Sequence, residues 1–113
     1  MMAKVSFIMP ACKRRFLKEA ITSILVQIYP DFELVVVDYC SPENLKEVVD
    51  ELQDERPTYH RNERNIGGKD LVTAWNHAMV YATGEWCALA SDGDVYHPNY
   101  LKEMVALSEK YPM

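Results

Sequence analysis

The sequence predicts an α/β fold, a parallel sheet of about four strands with helices on both faces. Three observations carry that prediction. Short β-type runs alternate with longer stretches whose apolar residues recur every three or four positions. The alternation repeats four times, the order of consecutive βα units joined by right-handed crossovers. Val35, Val36 and Val37 form a solid apolar run, as expected of a strand covered on both faces.

The elements follow in order. KVSFIMP reads as the first strand, stopped by Pro10. From Arg14 the spacing changes: Phe16, Ala20, Ile24 and Ile28 recur at intervals of four, with Leu17, Ile21 and Leu25 beside them, as one broad helix face. Lys13, Arg14 and Arg15 fall in the first turn of that helix, where the macrodipole disfavours cations by ~0.3–1 kcal/mol each. An anionic ligand would relieve the conflict, and so would a solvated basic turn. DFELVVVD is the second strand. SPEN then supplies Ser41 as N-cap, Pro42 at the first helical position and Glu43 in the first turn. Leu45, Val48, Val49 and Leu52 form the buried stripe of this helix. TYHR is a short third strand at an edge. After Gly67 and Gly68 a helix turns Leu71, Trp75, Ala78, Met79 and Ala82 inward, and Gly84 ends it. Residues 85–90 read as a buried fourth strand, and Pro98 opens a last helix containing Leu101, Met104 and Val105.

Composition narrows the function. A chain of 113 residues is expected to form one domain with a single core. The net charge of -5 argues against a general nucleic-acid-binding surface. No apolar run is long enough to cross a membrane, and the N-terminus lacks a secretory h-region. Cys12, Cys40 and Cys87 form no CxxC pair, which fits a reducing, cytoplasmic setting better than a disulfide scaffold or a zinc cluster. His60, His77 and His97 share no metal-ligand spacing.

Ligands of open parallel sheets bind beyond the carboxyl ends of the strands. The polar residues at those ends are therefore the candidates. Ala11, Cys12 and Lys13 follow the first strand; Asp38, Tyr39 and Cys40 follow the second; residues 61–68 follow the third. The fourth ends in ALASDGDVYHP, with Asp92 and Asp94 flanking Gly93. Asp and Gly are ordinary turn residues. Paired carboxylates at a strand end also suit a divalent cation, and their place on the edge that carries Asp38 favours the cation.

These segments resemble the opening of family-2 glycosyltransferases of the GT-A fold. VSFIMPACKRRFLKEAITSILVQIYPDFELVVVDYCS is similar to the family's V-S-V-I-I-P-T-Y-N-R, its helix ending S-[IV]-L-x-Q-x-Y, and F-E-[IL]-[IV]-V-V-D-D-G-S. RNERNIGG, NHAMVYATGEW and ALASDGDVYHP match its next three motifs in collinear order, so the resemblance covers nearly the whole chain.

The resemblance implies a Rossmann-like donor-binding half of a GT-A fold spanning residues 1–113. It implies an inverting, metal-dependent transferase that takes a nucleotide-diphosphate sugar of the UDP or GDP type. Pro10, Ala11, Cys12, Asp38, Asn65 and Asp92 would line the nucleotide, with the Asp38 carboxylate accepting from a base N–H. Asp94, with Asp92 near the ribose or sharing the ion, would hold Mn²⁺ or Mg²⁺ on the diphosphate. Gly93 would let the turn bring both carboxylates to one side. Polysaccharide synthesis on a glycan or lipid-linked acceptor, at or near the inner face of the membrane, is the implied setting.

The chain departs from the pattern at four places. P-T-Y-N reads Pro10-Ala11-Cys12-Lys13, D-D-G-S reads Asp38-Tyr39-Cys40-Ser41, Gly93 stands where some members carry a carboxylate, and Trp75 stands where Arg is frequent. A non-catalytic nucleotide-binding or interaction domain that keeps the half-fold is the alternative these departures support. No residue qualifies as the general base. The acceptor half is expected to lie outside this chain, which would leave apolar surface open and favour self-association.

Overall fold

The computed structural model describes residues 4–62 and 71–110. Four strands, β1 (Val5–Ala11), β2 (Phe32–Tyr39), β3 (Pro57–Asn62) and β4 (Trp86–Leu89), form one parallel sheet in the order β3-β2-β1-β4. Helices α1 (Leu17–Leu25), α2 (Leu45–Glu51), α3 (Leu71–Ala78) and α4 (Tyr100–Lys110) alternate with them, so the expected α/β architecture is what the chain adopts.

Strand parity assigns the two faces. Phe7, Met9, Leu34 and Val36 pack with Leu17, Ile21, Leu45 and Leu101 of α1, α2 and α4. Ile8, Val35, Val37 and Tyr39 turn the other way, onto Ala74 and Ala78 of α3. β1 and β2 are thus covered on both sides, which is why their sequence lacks a polar alternation. No helix among the described residues is long and apolar enough to cross a membrane.

Several local expectations are corrected. β1 continues past Pro10 to Ala11. The Ile8 carbonyl accepts from Ala90 N, so Ile8, and by parity Pro10, present their backbone groups toward β4. β4 pairs with β1 only through Ile8, so the N–H that proline lacks falls where the ladder has already ended. Helix α1 begins only at Leu17 and ends at Leu25, leaving Phe16 and Ile28 exposed. Lys13, Arg14 and Arg15 precede the helix, and the dipole conflict disappears. Arg14 instead reaches α2, bonding Glu47 at 3.0 Å and the Asn44 carbonyl at 3.1 Å.

The N-cap of α2 is Asn44, whose side chain accepts from Glu47 N at 3.1 Å. Helix α3 stops at Ala78, a 3-10 turn Met79–Tyr81 follows, and Met79 points outward. Gly84 lies beyond that turn and is set by a close approach to β1. A Cβ there would stand 2.7 Å from the Lys4 carbonyl oxygen and 2.8 Å from Ser6 Oγ.

β3 is an edge strand, as expected. β4 is the other edge and is not buried: Trp86 and Leu89 are 42% and 44% exposed. Its apolar composition suits a covered strand, yet among the described residues no strand pairs beyond it. An apolar groove of about 570 Å³ remains open between β4 and α4.

Candidate functional site

The carboxyl ends of all four strands share one edge, because every pair is parallel. Strand order reverses between β1 and β4, so the ligand crevice of such a sheet falls there. Asp92 occupies that crevice. Its Oδ2 accepts from Cys12 N at 2.8 Å and Lys13 N at 2.9 Å, tying the turn after β4 to the loop after β1. Those two amides hold an anion, and in this structure the anion is Asp92.

The turn is fixed from the other side by α1. Tyr96 N donates to Ser23 Oγ at 3.0 Å. Gln27 donates to the His97 carbonyl at 2.8 Å, and its Oε1 accepts from Leu101 N at 2.9 Å, so it caps the start of α4. Sequence reasoning passed over Ser23 and Gln27. Their signal is two polar residues four apart that flank an apolar run, Ser23 on the inward side of α1 and Gln27 two residues past its end.

Asp94 is exposed, and its Oδ2 accepts from Ser91 Oγ at 2.6 Å. Gly93 is not in the left-handed region, and a Cβ there would meet nothing within 4 Å, so the expected conformational need for glycine is absent. Among the described residues no three His, Cys, Asp or Glu side chains gather around one point. Asp94 and Asp92 on an open turn nevertheless fit a hard cation that completes its shell with phosphate oxygens and water, the usual habit of Mg²⁺.

Asp38 lies inside β2, one residue before its end, and its side chain is wholly buried. Oδ1 accepts from Ser41 N at 2.9 Å. Oδ2 accepts from Tyr59 Oη and, at 2.9 Å, from Arg61 Nη1. Arg61 is the register partner of Asp38 on β3, and Tyr59 stands two residues earlier on the same face. From sequence Arg61 entered only as the first of residues 61–68 and Tyr59 was not singled out, although strand parity on the predicted third strand offered the signal. Burial, with the bond to Asp38 adding to it, pushes the Tyr59 hydroxyl up to about 12, so it remains a proton donor at neutral pH. Arg61 also donates to the Ser41 carbonyl at 3.3 Å.

Ser41, the expected cap of α2, serves this edge instead. Its hydroxyl donates to the Cys12 carbonyl at 2.5 Å and accepts from Glu43 N at 3.1 Å, joining the ends of β1 and β2. Cys40 beside it adopts φ 57°, in the left-handed region that favours glycine.

The remaining candidates separate. Pro10 and Ala11 are buried in the last residues of β1. Cys12 is part-buried, and burial, then Asp92 and Asp38, raise its thiol above the ordinary value, so it is a protonated thiol at neutral pH. Trp75 packs against the α3-side core and donates its indole N–H to the Ala90 carbonyl at 2.9 Å, pinning α3 to the end of β4. Tyr39 donates to the Ala74 carbonyl at 2.7 Å and contacts His77 on the far face, away from Asp38. Asn65, Gly67 and Gly68 lie outside the described residues.

Comparison with known proteins places the chain in a family. The chain is 36% identical over 105 residues to the WcaA protein of Escherichia coli (strain K12), covering 90% of this chain and 37% of WcaA. It is 32% identical over 107 residues to the Escherichia coli UDP-Glc:alpha-D-GlcNAc-diphosphoundecaprenol beta-1,3-glucosyltransferase WfgD, covering 94% of this chain and 41% of WfgD. The crystal structure of S. aureus TarS 1–349 in complex with UDP-GlcNAc superposes with a TM-score of 0.85 at 27% identity. That match covers 96% of this chain and 32% of TarS 1–349. The chain thus spans about two-fifths or less of the proteins it resembles. The family model described as Glycosyl transferase family 2 matches residues 6–113, and the chain belongs to that family.

Proposed function

We propose that this chain is the donor-binding part of an inverting, metal-dependent glycosyltransferase, and that its ligand is a nucleotide-diphosphate sugar of the UDP or GDP type. The observation that carries the proposal is the β1–β4 crevice, where Asp92 bridges two strand-end loops through the Cys12 and Lys13 amides with Asp94 exposed beside it. TarS 1–349, similar over 96% of this chain, was crystallised with UDP-GlcNAc, which supports the ligand class.

In this reading the acceptor hydroxyl attacks the anomeric carbon opposite the departing nucleoside diphosphate. The chain binds and orients the donor; acceptor recognition and the general base are assigned to none of its residues. Asp94, with Asp92 beside it, would hold Mg²⁺ or Mn²⁺, and the bound ion supplies neutralisation of the charge that grows on the leaving diphosphate. A glycan or a lipid-linked saccharide is the acceptor we infer, in line with the diphosphoundecaprenol acceptor in the name of WfgD. A lipid-linked acceptor of that kind would set the reaction at a membrane face.

Calorimetric titration with UDP, with and without Mn²⁺, tests the proposal. Without metal, Asp94→Asn binds UDP as well as wild type or slightly better, because one negative charge near the diphosphate is gone. With Mn²⁺ the order reverses, since a neutral amide is a poorer ligand for a hard cation. A metal effect that persists in Asp94→Asn and vanishes in Asp92→Asn moves the ligand to Asp92. A metal effect unchanged in both single variants and the double variant returns the stretch to an ordinary turn.

A further inference from the structure

We infer that Arg61, rather than Asp38, is the group that meets the base of the bound nucleotide, with Asp38 and Tyr59 as its positioning residues. This rests on the donor-binding reading above and assigns the base-selecting contact within it. The Asp38 side chain has no exposed surface, and both of its oxygens are engaged, Oδ1 by Ser41 N and Oδ2 by Tyr59 Oη and Arg61 Nη1. A base arriving from solvent cannot reach that carboxylate without displacing a donor, and the displacement would strand a buried charge. The Arg61 side chain, by contrast, is 37% exposed. It stands in a cleft of about 390 Å³ with Asp38 at its floor and Pro42, Glu43, Asn44, Lys46 and Tyr59 among its walls. Its Nη1 is fixed from behind by Asp38 at 2.9 Å and the Ser41 carbonyl at 3.3 Å, so the guanidinium enters the cleft in one orientation.

That arrangement has a chemical preference. A guanidinium carries only donors, so it pairs with carbonyl oxygens and repels amino groups. Uracil and guanine present a keto oxygen where cytosine and adenine present an amino group. Arg61 therefore selects keto-base nucleoside diphosphates. A buried Asp38 that read the base directly would also favour uracil, through its ring N–H, so base preference alone does not separate the two assignments. Substitution does.

The test is calorimetric titration of the 113-residue chain with UDP and with CDP at fixed Mn²⁺. Thermal melting of each variant accompanies it. Wild type is expected to favour UDP by roughly tenfold or more, the discrimination of a well-placed donor on a keto oxygen. In Arg61→Gln the ratio falls toward one, because a carboxamide offers either an oxygen or an amino group. Arg61→Lys keeps the charge and part of the preference but loses the planar geometry, so its UDP affinity falls several-fold. Adding Asp38→Asn to Arg61→Gln then leaves the ratio where it was, as a residue acting through Arg61 requires.

An undiminished preference in Arg61→Gln, with the preference lost in Asp38→Asn, overturns the inference and makes Asp38 the reader. Unchanged UDP affinity in Arg61→Lys overturns it even where Arg61→Gln fails to fold. Wild-type binding of UDP and CDP with equal affinity overturns this inference and leaves the donor-binding reading standing. Binding of neither nucleotide removes both.

Discussion

Glu33 and Asp38 sit on the same strand, five residues apart, near opposite ends of the sheet, and each carboxylate accepts three hydrogen bonds. At the amino end, Glu33 Oε2 takes Ser6 Oγ at 2.5 Å, with Thr83 N and Thr83 Oγ1 both at 2.7 Å. Ser6 Oγ accepts in turn from Gly84 N at 2.8 Å, so the circuit closes on β1 and the segment entering β4. All of these donors are neutral and part of the scaffold. At the carboxyl end, Asp38 is satisfied partly through a cation, Arg61, whose side chain is 37% exposed in a cleft. The same device, a carboxylate saturated by three donors, thus does two jobs. Where the donors are backbone and hydroxyl groups it fastens strands; where one is a guanidinium it also aims a charge at solvent.

The sharpest way to break this contrast is at the fastening end. Glu33→Ala strands the Ser6 and Thr83 donors, and we expect it to lower stability by ~2–3 kcal/mol, the cost of losing hydrogen bonds to a charged acceptor. Urea denaturation reads the loss, while nucleotide affinity per folded molecule stays at the wild-type value. The effect also depends on pH. Burial pushes the Glu33 carboxyl up, but the bonds from Ser6 and Thr83 outweigh it and hold the group below the ordinary glutamate value. A carboxyl lowered by folding contributes fully above its unfolded value, and that contribution is lost as pH falls through the folded value. The gap between wild type and Glu33→Ala should therefore be widest near neutrality and narrow below about pH 4. A gap that is constant from pH 7 down to the acid transition would mean that Glu33 acts through packing alone.

A smaller effect is expected where Asp92 does the fastening at the ligand end. Asp92→Ala removes the acceptor of the Cys12 and Lys13 amides, both nearer solvent than Ser6, and should cost ~1–2 kcal/mol. Unlike Glu33→Ala, it should alter ligand binding. The freed amides can take a phosphate oxygen, so metal-free affinity for inorganic pyrophosphate should rise while stability falls. Isothermal titration with pyrophosphate, beside urea melts, reads both. If stability falls and pyrophosphate affinity does not move, the Asp92 bridge belongs with Glu33 as scaffold only.

The contrast also explains which parts were legible in the sequence. β1 and β2 were readable because they are buried on both faces and run apolar, and their helices because each buries one periodic stripe. β4 misled for a related reason: an apolar run reports side chains, whereas an edge is a property of unpaired backbone. Ser41 and Asn44 are both good cap residues, and the choice between them was settled by a tertiary bond from Ser41 to the Cys12 carbonyl, which no local rule contains. Trp75 was read correctly as packed, but its indole bond to Ala90 joins two elements fifteen residues apart and carries no periodic trace. At the site, Asp38 and Asp92 were visible as carboxylates on the right edge. What engages them was not: Arg61 and Tyr59 reach Asp38 through strand register, and two backbone amides reach Asp92 from a loop beyond the paired residues.

The smallest expected effect concerns strain, which also divides the two ends. Cys40, at φ 57° beside Asp38, is in the left-handed region, which costs an L-residue roughly 1–2 kcal/mol. Cys40→Gly removes that cost and adds freedom to the unfolded chain worth ~0.5–1 kcal/mol, so the net gain should be about 0.5 kcal/mol. Gln53, at φ 51° just after α2, is the matching control, since a left-handed residue there only closes a helix. Gln53→Gly should gain a similar amount and leave the site alone. The two should part at the ligand. Cys40 Sγ lies 4.0 Å from Arg61 Nη2, so its removal loosens one side of the guanidinium without touching Asp38. Cys40→Gly should therefore melt slightly later than wild type and bind UDP slightly less tightly, whereas Gln53→Gly changes only the first. Parallel melts and titrations decide it. If Cys40→Gly is less stable than wild type, the thiol contact outweighs the strain, and the cysteine is a packing element of the Arg61 cleft.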